Sequence, residues 1–135
     1  MPVECTAQVL AVADSADNLL YVQEVMGSIP GWLTDLHVEV SAGPMRPLFL
    51  PGDGTKLLFD QAREIATDLG IDLTGRVAGG GSDGNFTGAL GVPTLDGIGV
   101  AEGGPHTHGE YVEIDTLAPR AEIIRRLLLR LGDDI

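Results

Sequence analysis

The residues best placed to do chemistry fall in three short runs. The first is Gly79-Gly80-Gly81-Ser82-Asp83-Gly84-Asn85-Phe86. A glycine-rich turn between a strand and a helix points free backbone N–H groups at whatever lies above the helix start, a setting that favours an anion. The same run also serves as a tight turn with Ser82 or Asp83 as cap. No Lys-Ser/Thr pair follows, so a phosphate loop of the Walker type is excluded. Gly80-Gly81-Ser82-Asp83-Gly84 also matches the short G-x-S-x-G nucleophile pattern, with Asp96 and His106 following in order. A complete hydrolase of that type needs a longer chain than this one.

The second run is Gly103-Gly104-Pro105-His106-Thr107-His108-Gly109-Glu110-Tyr111-Val112. Two histidines in a flexible loop can both reach a metal only if the loop curls, and a surface loop also carries histidines without a role. His37 sits opposite the apolar face of its segment and is expected to be exposed and structural. The third feature is Arg46, held between Pro44 and Pro47. A guanidinium so placed either forks onto a carboxylate or is a solvated surface charge.

These groups need elements to position them. Residues 3–12 read as a strand, and Ser15 is a plausible N-cap for a helix that Gly27 and the Pro30-Gly31 pair should end. Leu36, Val38 and Val40 alternate with polar residues, the pattern of a half-buried strand. A second helix is expected over residues 55–69, with Leu58, Ala62, Ile65 and Leu69 on one face and Gly70 as its stop. Beyond it the pattern predicts a strand over 72–78, a helix over 82–90 and a strand over 92–98. The last helix is expected to start at Thr116 as N-cap, burying Ile123, Ile124, Leu127, Leu128 and Leu131 and leaving Arg125, Arg126 and Arg130 in solvent. Strands alternating with helices predict an α/β fold.

Composition narrows the function. The chain has 135 residues, 44% hydrophobic and 21% charged, with a formal net charge of −12. That suits one globular domain or a piece of a larger one. Eight Lys and Arg against twenty Asp and Glu argue against nucleic acid and against an anionic membrane surface. No apolar run reaches membrane-spanning length. The single cysteine, Cys5, excludes an internal disulfide framework and a cysteine-based zinc site. The first residues do not read as a signal peptide, so the expected compartment is the cytoplasm.

Together the runs 79–86, 90–99 (Leu-Gly-Val-Pro-Thr-Leu-Asp-Gly-Ile-Gly) and 103–112 resemble the closing third of the zinc aminoacylase and carboxypeptidase family. That family includes glutamate carboxypeptidases, succinyl-diaminopimelate desuccinylases and aminoacylases. The resemblance extends over about residues 43–131, and residues 1–42 resemble the second half of the family's small α+β dimerisation domain. The punctuated run Gly43-Pro44-Met45-Arg46-Pro47 and the Pro51-Gly52-Asp53-Gly54 turn set a boundary near 43–54, and the resemblance implies that residues 43–135 form the C-terminal part of a catalytic α/β domain.

The resemblance implies an enzyme with two zinc ions that share a bridging water. It carries a metal-ligand role onto His106, within Gly104-Pro105-His106-Thr107, and leaves His108 a bystander. It gives Arg46 the substrate carboxylate and sets Gly80, Gly81 and Ser82 beside the substrate. Asn85 stands where desuccinylases of the family often have arginine, which points toward the glutamate-carboxypeptidase branch. The family's other ligands, a His-x-Asp pair, a bridging Asp, a Glu-Glu pair and a further acid, are not found before residue 43. The first Glu of that pair is the general base.

The resemblance thus implies a fragment of a metallohydrolase that cleaves amides beside a free carboxylate, inactive alone and binding no zinc tightly. Its substrates in the parent enzyme would be small peptides or N-acyl amino acids. Expected partners are an N-terminal half or a second copy of the chain. The alternative is a stand-alone dimerising or ligand-binding module that has lost catalysis.

Overall fold

A computed structural model describes residues 4–33 and 35–132. The chain divides into two compact units. One holds the described residues up to Leu48 together with Ala78–Gly81; the other holds Phe49–Val77 and the described residues from Ser82 on.

The first unit is built on helix α1, Ala16–Trp32. Ser15 caps it as expected: its backbone is extended and its Oγ accepts the Asn18 N–H at 3.2 Å. Asn18 Nδ2 in turn donates to Asp14 Oδ1 at 2.6 Å, and that bond lowers the Asp14 pKa. The expected stop at Gly27 and Pro30-Gly31 does not occur, because α1 runs through all three. A glycine within a helix costs only about 1 kcal/mol, which neighbouring turns can offset. Pro30 has no N–H to give the preceding turn, yet the helix continues for two more residues. No residue of α1 is buried, and Leu20 and Tyr21 lie largely in solvent.

The second unit contains the core. Helix α2, Asp53–Asp68, begins close to the expected position and ends at Gly70, whose φ is +74°. The Gly70 N–H donates to the Thr67 carbonyl at 2.9 Å and the Ile71 N–H to the Ala66 carbonyl at 2.8 Å. This is the paired closure that glycine allows at a helix C-terminus. Helix α3, Gly84–Ala89, is shorter than the expected 82–90, and the Phe49 ring occupies the space where a β-carbon on Gly88 would stand.

Strand β1, Glu102–Gly103, pairs antiparallel with β2, Tyr111–Val112, in the register Glu102 to Val112 and Gly103 to Tyr111. A 3-10 turn, Ile114–Thr116, leads into helix α4, Leu117–Gly132. Thr116 therefore lies inside the 3-10 turn and does not cap α4. Its Oγ accepts the Ala101 N–H at 3.0 Å and donates to the Glu113 carbonyl at 2.7 Å.

The architecture is mixed, helices with a small sheet, and is compatible with the expected α/β class. The expected strands at 36–41, 72–78 and 92–98 are not formed, nor is any strand over residues 4–12; Val3 lies outside the described residues. Strand propensity becomes a strand only beside a partner that pairs its N–H and C=O groups. Among the described residues these four segments have no ladder partner. The only two paired strands there are the short ones around the histidine loop.

Helices α2 and α4 pack together around Ala62, Ile65, Ala66, Leu73, Ile123 and Leu127. Phe59, Leu69, Ile71, Leu95 and Leu131 close over that cluster. The α4 stripe is narrower than expected: Ile123 and Leu127 are buried, Ile124 is half-buried, and Leu128 is 64% exposed. A step of four residues keeps Ile123, Leu127 and Leu131 in line, whereas Leu128 turns past the edge of α2. At that edge Arg130 Nη1 reaches Glu64 Oε2 at 3.0 Å. Among the described residues no helix is long and apolar enough to cross a membrane.

Ile123→Ala should cost about 2–5 kcal/mol by leaving a cavity in a small core, whereas Leu128→Ala should stay within about 0.5 kcal/mol. Urea denaturation of the two variants measures the difference. Glu122 gives a second test. Arg125 donates to it from Nε and Nη2, both at 2.7 Å, and Arg126 from Nε at 2.8 Å. These bonds lower the Glu122 pKa from 4.5 to about 2. A lowered native pKa stabilises the fold above pH 4.5 and loses that contribution as pH falls toward 2. Glu122→Gln should therefore flatten the acid limb of stability against pH, measured from pH 6 down to about 2.

Candidate functional site

The histidine loop lies in the second unit, between its two paired strands. β1 and β2 close a hairpin around residues 104–110, and the Glu113 N–H donates to the Ala101 carbonyl at 2.8 Å just beyond the paired strands. At its base the Tyr111 ring lies across Gly103. A β-carbon there would fall 2.6 Å from Tyr111 Cε1, so any larger residue would have to displace the ring.

Inside the loop Gly104 has φ +65° and His106 has φ +64°. Among the described residues His106 is the one non-glycine residue at positive φ. The left-handed region costs an L-residue roughly 1–2 kcal/mol, so the surroundings must hold the histidine there. His106 and His108 are both exposed. His37 lies in the first unit and pairs with Glu39 at 3.1 Å, its side chain 88% exposed, as expected of a structural surface histidine.

The glycine-rich run contributes to both units, and each part has its own partners. In the first unit the Arg46 side chain lies across Gly81: a β-carbon there would stand 2.7 Å from Arg46 Cδ and Nη1. Two residues picked out separately from the sequence are thus in contact. Gly80 lies next to them, with open space where its β-carbon would be.

In the second unit Ser82 and Asn85 form a local clasp. The Ser82 N–H donates to Asn85 Oδ1 at 2.9 Å. Ser82 Oγ accepts the Gly84 N–H at 3.1 Å and donates its own proton in a very short bond to Asp96 Oδ2. Asp96 Oδ1 accepts the Gly97 N–H at 2.8 Å. A serine nucleophile needs a histidine to take its proton. Here a carboxylate holds the Ser82 hydroxyl directly, which is the bonding of a turn brace and does not support a serine hydrolase.

Three contributors were not legible as such in the sequence. Asp96 stands out only within the short G-x-S-x-G pattern and the 90–99 run, Tyr111 only as part of the loop motif, and Thr107 only as the neighbour of His106. The glycine at 103 opposite an aromatic residue at 111 was the available signal for the hairpin.

The donor set can be set against what a metal requires. An imidazole is a good zinc ligand, and structural zinc takes about four such donors. Among the described residues no three His, Cys, Asp or Glu side chains gather closely enough to hold a metal ion. His106 fits the role of one ligand, and the remaining donors are not beside it.

The model of the peptidase family M20/M25/M40 matches residues 5–130. The chain belongs to this family. Among its M20 relatives, carboxypeptidase G2 of Pseudomonas sp. (strain RS-16) is 33% identical over 103 residues, covering 73% of this chain and 24% of that protein. Succinyl-diaminopimelate desuccinylase of Psychrobacter arcticus is 34% identical over 97 residues, 72% of this chain and 22% of the relative. Peptidase T of Geobacillus thermodenitrificans is 34% identical over 73 residues, 53% of this chain and 17% of the relative. The matched segment therefore spans about a quarter or less of each M20 relative. No solved structure gives a significant match.

The strain at His106 has a measurable consequence. At an ordinary helix or strand position, glycine is less stable than alanine by about 0.5–1 kcal/mol. At residue 106 the order should reverse, with His106→Gly more stable than His106→Ala by up to ~1 kcal/mol, because only glycine escapes the left-handed penalty. Chemical denaturation of the two variants checks this.

Proposed function

We propose that this chain is the C-terminal part of a two-zinc metallohydrolase, a carboxypeptidase or deacylase that cleaves an amide beside a free carboxylate. His106 carries the reading: an imidazole held in a strained conformation, on a hairpin, within the segment matched to the M20 family. The names of the relatives, two peptidases and a desuccinylase, agree with hydrolysis of an acyl–nitrogen bond.

With its full ligand set, zinc supplies Lewis acidity and a water acidic enough to act as nucleophile near neutral pH. The residues of this chain bind and orient. His106 gives one imidazole nitrogen to a metal. Arg46 forks onto the carboxylate of a small peptide or N-acyl amino acid, and Gly81 leaves the room its guanidinium needs. Gly80 in the first unit, and Ser82 and Asn85 in the second, are the further substrate-binding residues of this reading, and the Ser82–Asn85 clasp holds its own turn in one shape. Asn85 in place of an arginine favours a glutamate-like substrate over a succinylated one.

One ligand is too few for tight binding. If a full structural site is worth ~10–16 kcal/mol, a quarter of it is ~3–4 kcal/mol, an affinity near millimolar. The general base and the other ligands are then supplied by an N-terminal partner, and the isolated chain is inactive. The exposed apolar residues agree with surfaces that another segment covers: Leu10 is 91% exposed and Val77 92%. A second reading rests on α1, which buries none of its residues. A stand-alone dimerising module would cover that helix with a second copy, and sedimentation analysis separates a stable homodimer from a chain awaiting its other half.

Complementation tests the leading reading. The chain is mixed with the N-terminal part of carboxypeptidase G2 and zinc, then assayed on N-acyl glutamate. Hydrolysis is expected in the mixture alone and should vanish with His106→Ala. Arg46→Ala should raise KM about 10–100-fold, the loss of a charged hydrogen-bonding pair worth ~1.5–3 kcal/mol. Full activity from the isolated chain, or a KM unmoved by Arg46→Ala, would contradict the proposal.

A further inference from the structure

The hairpin that carries His106 is held chiefly by the residue after it. We propose that Thr107 is a positioning residue whose hydroxyl locks His106 in its left-handed conformation and so fixes the direction of the imidazole. This rests on the reading of His106 as a ligand only for its purpose, because the geometry stands without it.

Thr107 joins both sides of the loop. Its N–H and its Oγ hydroxyl both donate to the Gly104 carbonyl, at 3.2 and 2.8 Å. The same Oγ accepts the Gly109 N–H at 3.2 Å, and the Thr107 carbonyl accepts the Glu110 N–H at 3.2 Å. His106 stands between the two ends of the Gly104–Thr107 closure. Returning its φ from +64° to the usual negative range would swing Thr107 away from Gly104 and break both bonds at once. The hydroxyl is central because it donates on one side and accepts on the other.

The packing around Gly104 supports this arrangement. Gly104 is itself left-handed, and a β-carbon there would meet the Gly109 carbonyl oxygen at 3.0 Å and Thr107 Oγ at 3.2 Å. Gly104, Thr107 and Gly109 thus form a closed brace, and His106 is the one residue with a strained backbone that the brace encloses. His108 is spanned by the Gly109 and Glu110 N–H bonds to Thr107, but its φ is not positive, so those bonds hold no strained residue there. The two histidines differ in backbone conformation, and only at His106 do the Thr107 bonds hold a left-handed residue.

Two substitutions separate the hydroxyl from the shape of the side chain. Thr107→Val keeps the branched outline and removes both hydroxyl bonds; Thr107→Ser keeps the hydroxyl and drops only the methyl. The readout is the intraresidue HN–Hα cross-peak of residue 106 in the NMR spectrum of the full chain, which is strong for a left-handed residue and weak otherwise.

Native chain and Thr107→Ser should give the strong cross-peak, and Thr107→Val should lose it. The Gly103–Tyr111 contacts and the contacts between α2 and α4 should persist in all three, which confines the change to the tip of the hairpin. A strong cross-peak retained in Thr107→Val would overturn the proposal, as would its failure to return in Thr107→Ser. The spectra are recorded without metal, so the result is decided separately from whether His106 binds zinc.

Discussion

Helices α2 and α4 meet around Ile65 and Ile123, each almost wholly withdrawn from water, and the ordered part of the second unit hangs from that contact. The start of α4 is fixed by the core, and the 3-10 turn before it is continuous with the helix. Thr116 in that turn takes the Ala101 N–H, and Glu113 donates back to the Ala101 carbonyl. Ala101 leads directly into β1. The histidine loop is therefore coupled to the hydrophobic core through one short path of backbone and hydroxyl bonds. That path anchors the base of the seven-residue loop, while the Thr107 bonds hold its two left-handed residues from within.

Such an anchor matters because the rest of the chain is lightly packed. Six residues make up the buried core among the described residues, and large apolar side chains such as Leu10, Val77 and Leu90 face solvent. A chain that buries so little holds firm structure only where contacts concentrate. Those places are the α2–α4 pair, the hairpin tied to it, and the Ser82–Asp96 clasp at the start of α3. The candidate site residues of the second unit sit on the last two. In the first unit, the Arg46 side chain lies across Gly81.

Much of this was readable in advance. The Ser15 cap, the α2 stripe and its glycine stop follow from local rules, and the structure follows them closely. The family was legible because three separated motifs kept their order and spacing, and the match over residues 5–130 agrees with it. Strand propensity reports a preference that only a neighbouring strand can satisfy, and segments 36–41, 72–78 and 92–98 have none among the described residues. Pro30 looked like a stop because its cost was visible in sequence while the tolerance of the surrounding helix was not. Residue type singled out His106, Arg46 and the glycines as candidates. The left-handed backbone of His106, the hydroxyl brace of Thr107 and the Asp96 hold on Ser82 depend on distances that spacing does not encode.

The central claim is that this chain brings a single, preset zinc ligand to a site completed elsewhere. Isothermal titration of zinc into the purified chain, with His106→Ala as control, tests it most directly. Binding in the millimolar range or below detection is expected, since one imidazole gives only about a quarter of a full site. Micromolar or tighter binding that disappears with His106→Ala would contradict the claim, because the chain would then assemble a complete metal site by itself.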